Sequence, residues 1–272
     1  MTTKFSVLLS LYYKEKPEYL RLSLHSLLTQ RYLPDEVILV EDGPLTTELY
    51  QVLDDFERQF SSFKRIPLPK NKGLGLALNE GLKHCSNDLV ARMDTDDICF
   101  ENRFEVQVKF MMTHPEIDLC SAWIEEFIND DINQVVSIRK LPETHDNIIK
   151  FGKIRNPISH PVCMFRKSKV EKAGGYMDFP FFEDYYLWAR MIVNGAKLYN
   201  IQMPLLHFRT SLDMYKRRGG IKYALRETKL AWEFYKIKFI SFYDFVIYCF
   251  THFPVRIMPQ TLKKAVYKRF LR

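Results

Sequence analysis

Three carboxylates fall within four residues at Ala91-Arg92-Met93-Asp94-Thr95-Asp96-Asp97, directly after the apolar-ended run Asp88-Leu89-Val90. Crowded carboxylates repel one another and lose hydration when a strand carries them toward a core. A divalent cation, often one carrying a substrate's phosphates, offsets that charge. The same string also suits a turn, because Asp and Thr cap helix N-termini and a helix could begin just after it. A second acidic pair, Glu183-Asp184, opens the stretch Phe181–Arg190 with an aromatic face behind it. The helix dipole alone would favour acids at such a start. His207, at the end of a strand-like run, could serve a metal as a neutral imidazole ligand or sit in the core or rim as a structural residue. His160 lies in the rigid loop Asn156-Pro157-Ile158-Ser159-His160-Pro161, where a structural role is equally open.

Alternating strands and helices must position these groups. Phe5–Leu11 is a continuous apolar run, which predicts a buried parallel strand with Tyr12 and Tyr13 at its carboxyl end. Pro17 opens a helix to about Gln30, with Leu20, Leu24, Leu27 and Leu28 on one face. Glu36–Val40 is a second strand ending in Glu41-Asp42-Gly43-Pro44, followed by a helix capped by Thr46 or Thr47 that runs to about Phe60. A weaker strand near Phe63–Leu68 precedes the turn Asn71-Lys72-Gly73-Leu74-Gly75 and a helix through Leu82. Asp88–Met93 is the fourth strand and delivers the acidic cluster. The alternation predicts a parallel sheet with helices on both faces, whose ligands bind at strand carboxyl ends near a topological switch point. Tyr12, Asp42 and Asp94–Asp97 all lie at such ends. Gly73-Leu74-Gly75 is not a dinucleotide fingerprint, because Leu78 stands where the third glycine belongs and the motif follows the third strand. These glycines read as turn and close-packing residues.

The second half changes pattern. A helix from about Glu101 to Met112 leads to Leu119–Phe127 and Val135–Arg139, which flank a hairpin turn at Asn129-Asp130-Asp131. Val162–Phe165, a short helix Lys167–Ala173 stopped by Gly174-Gly175, the helix begun by the acidic pair and closed by Gly195, and a strand Lys197–Leu206 follow. Hydrophobic residues make up 47% of the 272, ample for a core in one large α/β domain or two small ones. Five scattered cysteines without C-x-x-C spacing argue against a disulfide framework or zinc knuckle and fit a reducing compartment. Met-Thr-Thr-Lys-Phe enters a strand at once, so no signal peptide is expected.

Charge is uneven. From Met214 to Arg272 there are 14 Lys/Arg against Glu227, Glu233 and Asp244, a surplus of 11; with +7 for the whole chain, the preceding residues carry 7 − 11 = −4. Such a basic tail suits an anionic surface. Tyr215–Arg218 is a basic loop, Ile221–Lys238 reads as a helix, and apolar Phe239–Phe253, with Pro254 expected to end it, is too short to span a bilayer. In Gln260–Arg272, Leu262, Val266 and Phe270 recur every fourth residue, with Lys264, Lys268 and Arg272 on the opposing face, an interfacial amphipathic pattern. The alternative is a helical subdomain with a solvated basic face. Nucleic acid is not expected as a partner, since bulky aliphatics interleave the basic residues and no binding motif is recognised.

Taken in order, Ser6–Tyr12, Glu41-Asp42-Gly43, Asn71-Lys72-Gly73 with Asn79-Glu80-Gly81, Ala91–Asp97, Asn156–Pro161, Gly174-Gly175-Tyr176 and Glu183-Asp184-Tyr185 resemble the inverting family 2 glycosyltransferases, of the kind that builds bacterial capsule, O-antigen or exopolysaccharide. The resemblance covers about residues 4–210. It implies an α/β GT-A fold, a Rossmann-like nucleotide-binding mixed sheet with flanking helices, over residues 1–212. The donor half would be about 1–114 and the acceptor half about 115–212, with a helical basic extension over 213–272. It also implies Mn²⁺ or Mg²⁺ as cofactor, for which hard oxygen ligands are suited. Asp96 would face the metal, Asp94 the ribose or metal shell, and His207 could complete that shell. Asp97 could simply cap the next helix. Tyr12, Asp42, Asn71, Gly73, Arg92 and Asp94 would bind the donor, a nucleotide-diphosphate sugar and specifically a UDP-sugar. Asp42 would hold the uracil and Tyr12 would stack on it. Asp184 would be the catalytic base, with Glu183 and His160 on the acceptor side. The family often shows Asp where Glu41 stands here.

The acceptor implied is a polyprenyl-diphosphate-linked saccharide, which places the enzyme in the cytoplasm, peripheral on the inner membrane through its basic C-terminal helices. A retaining enzyme or glycosidase would need a second working carboxylate, and no equally good candidate stands out. A sugar-phosphate nucleotidyltransferase would carry a glycine-rich basic loop where Leu11–Glu15 stands. A catalytically silent nucleotide-sugar binder is the alternative from another class.

Overall fold

The computed structural model describes residues 3–128, 130–210 and 219–258. The amphipathic pattern at Gln260–Arg272 and the basic loop Tyr215–Arg218 lie outside the described residues. The chain divides into two units between Arg209 and Thr210.

In the first unit, β1 (Ser6–Leu11) is central, as a strand apolar on both faces must be. Val7, Leu9 and Leu11 enter one core cluster while Leu8 enters the other, and β2 (Glu36–Glu41) splits the same way, with Val37 and Leu39 opposed to Ile38 and Val40. β1 pairs in parallel with β2 and with β4 (Leu89–Arg92), and β2 with β3 (Phe63–Pro67). Helix α1 (Pro17–Leu28) buries Leu20, Leu24 and Leu27, and α2 (Thr47–Gln59) is capped by Thr46, whose side chain accepts from Leu49 N. On the opposite face lies α3 (Leu74–His84), where Gly81 lets the helix approach β1 and β2. A Cβ at Gly81 would overlap Leu8 and come 2.7 Å from Val40 Cγ2.

The sheet order is β3-β2-β1-β4-β8-β6-β9-β5, with β7 on β6. It is mixed. β8 (Met164–Arg166) runs antiparallel between β4 and β6 (Leu119–Phe127), and β9 (Leu198–Arg209) runs parallel to β6. β7 (Val135–Arg139) forms the expected hairpin with β6. The chain winds outward from β1 through β2 to β3, then returns to β4 on the other side, so the switch point lies between the carboxyl ends of β1 and β4. Sequence reading missed two elements: β5 (Ile98–Cys99), which pairs antiparallel with β9, and α5 (His145–Gly152). Helix α4 (Arg103–Thr113) starts two residues later than expected. Helix α6 (Lys167–Lys172) stops at Gly174 and Gly175, both at positive φ, and α7 (Glu183–Val193) is closed by Gly195.

In the second unit, α8 (Ile221–Lys236) and α9 (Phe242–Ile257) pack against each other through Trp232 on Phe245 and Tyr235 on Phe242. A capping box starts α9: Ser241 Oγ accepts from Asp244 N at 3.0 Å, and Asp244 Oδ2 accepts from Ser241 N at 3.0 Å. Pro254 does not end this helix as the sequence suggested. A proline forfeits one N–H bond, but its carbonyl still accepts, here from Met258 N at 3.1 Å, and the helix runs to Ile257. Among the described residues no helix is long and apolar enough to cross a membrane.

Candidate active site

The carboxyl ends of β1, β2 and β4 meet at one rim. Tyr12 follows β1 and is 38% exposed, its ring edge-on to Tyr13. Asp42 follows β2 and is buried, its N–H donating to Leu11 O at 2.7 Å. Its carboxylate accepts from Lys72 N at 2.6 Å and Gly73 N at 3.0 Å, while Asn71 Nδ2 donates to Asp42 O at 3.1 Å. Asp42 thereby folds the loop that starts α3. Gly43, at φ 90°, permits the crossing, since a Cβ there would lie 2.8 Å from Asn71 N. Glu41 is buried and paired with Arg65 Nε at 2.6 Å.

The turn after β4 brings one carboxylate oxygen each of Asp94, Asp96 and Asp97 within 4.8 Å of one another. Ser23 Oγ holds Asp94 O at 3.1 Å, Arg209 Nε holds Asp96 O at 3.0 Å, and Arg209 N donates to Asp97 Oδ1 at 2.9 Å. Asp97 Oδ2 is buried without a hydrogen-bond partner among the described residues. Burial first, and then Asp94 and Glu15, pushes Asp96 up to about 7. Asp97 is pushed well above the ordinary range by burial, then by Asp96 and Asp94. Three hard oxygen donors, one of them orphaned, fit a divalent cation such as Mg²⁺ or Mn²⁺. The tertiary fold adds Glu15, whose carboxylate accepts from Thr95 Oγ1 at 3.2 Å and is raised by burial. In sequence Glu15 sits between two lysines and reads as solvated loop, so no local signal marked it. Arg209, whose guanidinium lies 3.8 Å over the Tyr19 ring, also escaped notice.

Arg92 is 1% exposed and pairs with Asp94, with its Nε and Nη1 unbonded among the described residues. Burial opposes its charge, but Asp94 beside it raises its pKa on balance. Arg92, expected from sequence among the donor-binding residues, is thus placed against Asp94 and not on the open rim. The side chain lies beneath the rim and acts on Asp94.

Glu183 and Asp184 open α7, next to the N-terminus of α3. A Cβ on Gly75 would lie 3.1 Å from Glu183 Cβ. Burial and then Asp184 push Glu183 up to about 7, and Arg92 and Asp94 also act on it, which ties this pair to the acidic turn. Asp184 is half-buried. Its Oδ2 accepts from Asn156 Nδ2 at 2.7 Å and its Oδ1 from Tyr185 N at 2.7 Å. Tyr185 Oη in turn donates to Gly152 O at 2.6 Å. Asn156 was visible in sequence only as part of a rigid loop. Just before α7, Phe181 sits at φ 75°, an uncommon conformation for a bulky residue and one found where a site is held under constraint. Across the site, Asn79 Oδ1 accepts from Tyr176 N at 2.7 Å, and Asn79 Nδ2 donates back to Tyr176 O, locking α3 to the loop before α7.

For both histidines the sequence left a structural and a functional role open, and both sit in packed surroundings. His160 is buried, with Nε2 2.9 Å from Tyr176 Oη and its ring against Trp188, and burial followed by Arg92 drives its pKa well down. It is a neutral core residue, not one facing an acceptor, because the 3-10 turn His160–Val162 directs it inward. His207 stacks on Phe100 at 4.0 Å between centroids and faces Glu125 Oε2 at 3.4 Å. It does not join the carboxylate group, because its ring is held against Phe100 and Glu125 instead.

The family model described as "Glycosyl transferase family 2" matches residues 6–174. The chain is 41% identical over 271 residues to the UDP-Gal:alpha-D-GlcNAc-diphosphoundecaprenol beta-1,3-galactosyltransferase of Escherichia coli, covering 100% of this chain and 98% of that one. Its fold matches S. aureus TarS 1–349 in complex with UDP-GlcNAc with a TM-score of 0.70 at 15% identity, covering 99% of this chain and 76% of that one. The chain spans 46% of the longer S. aureus TarS chain. It also matches the mannosyltransferase PcManGT of Pyrobaculum calidifontis in complex with GDP-Man and Mn²⁺, with a TM-score of 0.65 at 12% identity over 92% of this chain and 69% of that one.

Proposed function

This chain belongs to glycosyl transferase family 2, and from that premise we propose that it moves a sugar, with inversion, from a UDP-sugar to a saccharide carried on a polyprenyl diphosphate. One relative similar over its whole length is named for a UDP-sugar donor and a diphosphoundecaprenol-linked acceptor. The observation that carries the reading is Asp184, half-buried and oriented by two hydrogen bonds, electrostatically linked through Glu183 to the acidic turn on the donor rim.

Tyr12 offers a ring on which the base stacks, and the loop that Asp42 folds, including Asn71 and Gly73, lines the nucleoside side. Asp94, Asp96 and Asp97 would hold a divalent cation, Mn²⁺ or Mg²⁺, and Arg92 fixes Asp94 from beneath. When bound, such an ion stabilises the negative charge that grows on the leaving diphosphate. On the acceptor side Glu183 orients the incoming sugar. Asp184 takes the proton of the acceptor hydroxyl as its oxygen bonds to the anomeric carbon and the bond from that carbon to the diphosphate oxygen breaks. One base suffices, and the product is the glycoside with UDP released.

The substrate's lipid anchor and the basic C-terminal residues together support a peripheral position at the cytoplasmic face of the inner membrane. The deciding experiment measures transfer from UDP-sugars to a diphospholipid-linked GlcNAc acceptor by wild type and Asp184→Asn. Loss of transfer with donor binding retained supports the reading; an active variant overturns the base assignment.

A further inference from the structure

A solvent-facing helix face in a globular unit normally carries polar side chains. Helix α9 does the reverse. Its exposed positions Tyr243, Ile247, Phe250, Pro254 and Ile257 recur at spacings of four, three, four and three, so they form one stripe along the helix, with Tyr243 73% and Phe250 77% exposed. No charged side chain interrupts it. The acid of this helix, Asp244, is engaged in the cap, and Arg256 turns away to pair with Glu227 at 2.7 Å. On α8, Ile221, Leu225 and Trp232 make a second exposed apolar ridge, and Trp232 touches the Phe245 ring of α9. The neighbouring face of α8 is net basic, with exposed Lys222, Arg226, Lys229 and Lys236 around one acid, Glu233, which pairs with Lys236 at 2.7 Å. The sequence adds Lys216, Arg217 and Arg218 just before α8. Beyond α9, residues 259–272 hold five Lys/Arg and no acid.

We propose that the apolar stripe of α9 enters the acyl-headgroup boundary of an anionic phospholipid bilayer, lying in the membrane plane, while the basic face of α8 meets the headgroups. This deepens the membrane-surface reading above, on which it rests, and makes α9 the element that enters lipid. Charge selects the occupant. Apolar side chains flanked by lysine and arginine match a leaflet whose interior is hydrocarbon and whose surface is negative. A second copy of this chain on the same stripe would set two basic faces side by side. At 16 residues α9 is about 24 Å long, short of the roughly 30 Å of a hydrocarbon core, so it lies along the surface and does not span it.

The test uses the full chain with vesicles of phosphatidylglycerol and phosphatidylethanolamine, and with phosphatidylcholine vesicles as the uncharged control. Wild type sediments with the anionic vesicles. Ile247→Ser and Phe250→Ser each lower the partition constant by about tenfold, with helicity by circular dichroism and transfer to a water-soluble acceptor unchanged. Tryptophan fluorescence of the Phe250→Trp variant is quenched by lipids brominated on the acyl chain. If wild type binds vesicles and both serine variants bind equally well, the stripe proposal fails while the membrane-surface reading stands. If wild type binds no vesicle, the membrane-surface reading itself falls. A vesicle-independent dimer that Phe250→Ser dissociates would assign the stripe to a second copy and overturn the proposal.

Discussion

Asn156 Nδ2 donates to Asp184 Oδ2 at 2.7 Å, across 28 residues of sequence. Asn156 precedes Pro157, which biases it toward extended backbone, and Asn200 Nδ2 donates to Pro157 O at 3.0 Å from inside β9. The loop is thus anchored to the sheet, and its amide sets the direction in which the Asp184 carboxylate points.

Replacing Asp184 with Asn removes the proposed base, so kcat falls by about 10²–10⁴-fold while UDP-sugar affinity is retained. Asn156→Ala leaves the carboxylate in place but frees its rotation, and kcat falls by a smaller factor, about 10-fold. The two losses are non-additive in the double variant, because both act on one carboxylate. Single-turnover kinetics on the four proteins checks this; additive losses would remove Asn156 from the positioning of Asp184.

The acidic turn makes donor binding depend on a divalent ion and on pH. Asp96 has an ordinary value of 3.8 and lies at about 7 in the folded chain. The folded state therefore holds a proton that the unfolded state has lost, and without metal this group's contribution to stability declines as pH rises from about 4 to 7. A cation competes with that proton and with the one that burial favours on Asp97, so Mn²⁺ affinity rises with pH through about 7. Titration calorimetry at pH 6 and pH 8 reads the difference. Asp96→Asn lowers Mn²⁺ affinity and flattens the pH dependence, and EDTA abolishes metal-supported UDP-sugar binding until Mn²⁺ is restored.

In the second unit, Glu227 is 3% exposed and accepts from Arg256 Nε at 2.7 Å and Arg256 Nη2 at 2.8 Å. Burial would raise its pKa, but Arg256 and His252 together lower it from 4.5 to about 2. A depressed carboxylate stabilises the fold above its unfolded value and loses that contribution as pH falls from about 4.5 toward 2. The shift corresponds to roughly 3 kcal/mol. Glu227→Gln costs about 1–3 kcal/mol at neutral pH, since it removes the counter-charge of Arg256, which is only half-buried and so stays partly hydrated. Acid unfolding followed by circular dichroism shows wild type losing stability through this window and the variant changing less.

Gly81 is required by the approach of α3 to the sheet. Its missing Cβ would meet Leu8 and lie 2.7 Å from Val40 Cγ2, both in strand interiors that cannot retreat. Gly81→Val destabilises by about 1–3 kcal/mol or more, seen as a lower Tm. Gly195→Ala is a useful contrast. Nothing lies within 4 Å of its Cβ, so any cost there comes from its φ of 84° alone.

Much of this protein is set by local sequence. Apolar runs gave β1 and β2, turn residues separated them from their helices, and the strand-helix alternation placed Tyr12, Asp42 and Asp94–Asp97 at one rim. Those signals are short-range, arising from side-chain periodicity and backbone preference. The tertiary structure alone decided which groups meet. Glu15 reaches Thr95 across 80 residues, Asn156 reaches Asp184, and Arg209 braces Asp96 and Asp97 across more than 110. It likewise turned His160 into the core, His207 onto Phe100 and Arg92 beneath Asp94, because strand direction and packing fix where a side chain points once its element is placed. A polar residue at a strand end is legible as a candidate. Whether it faces the rim or the core depends on contacts between segments far apart in the chain, and no local pattern encodes them.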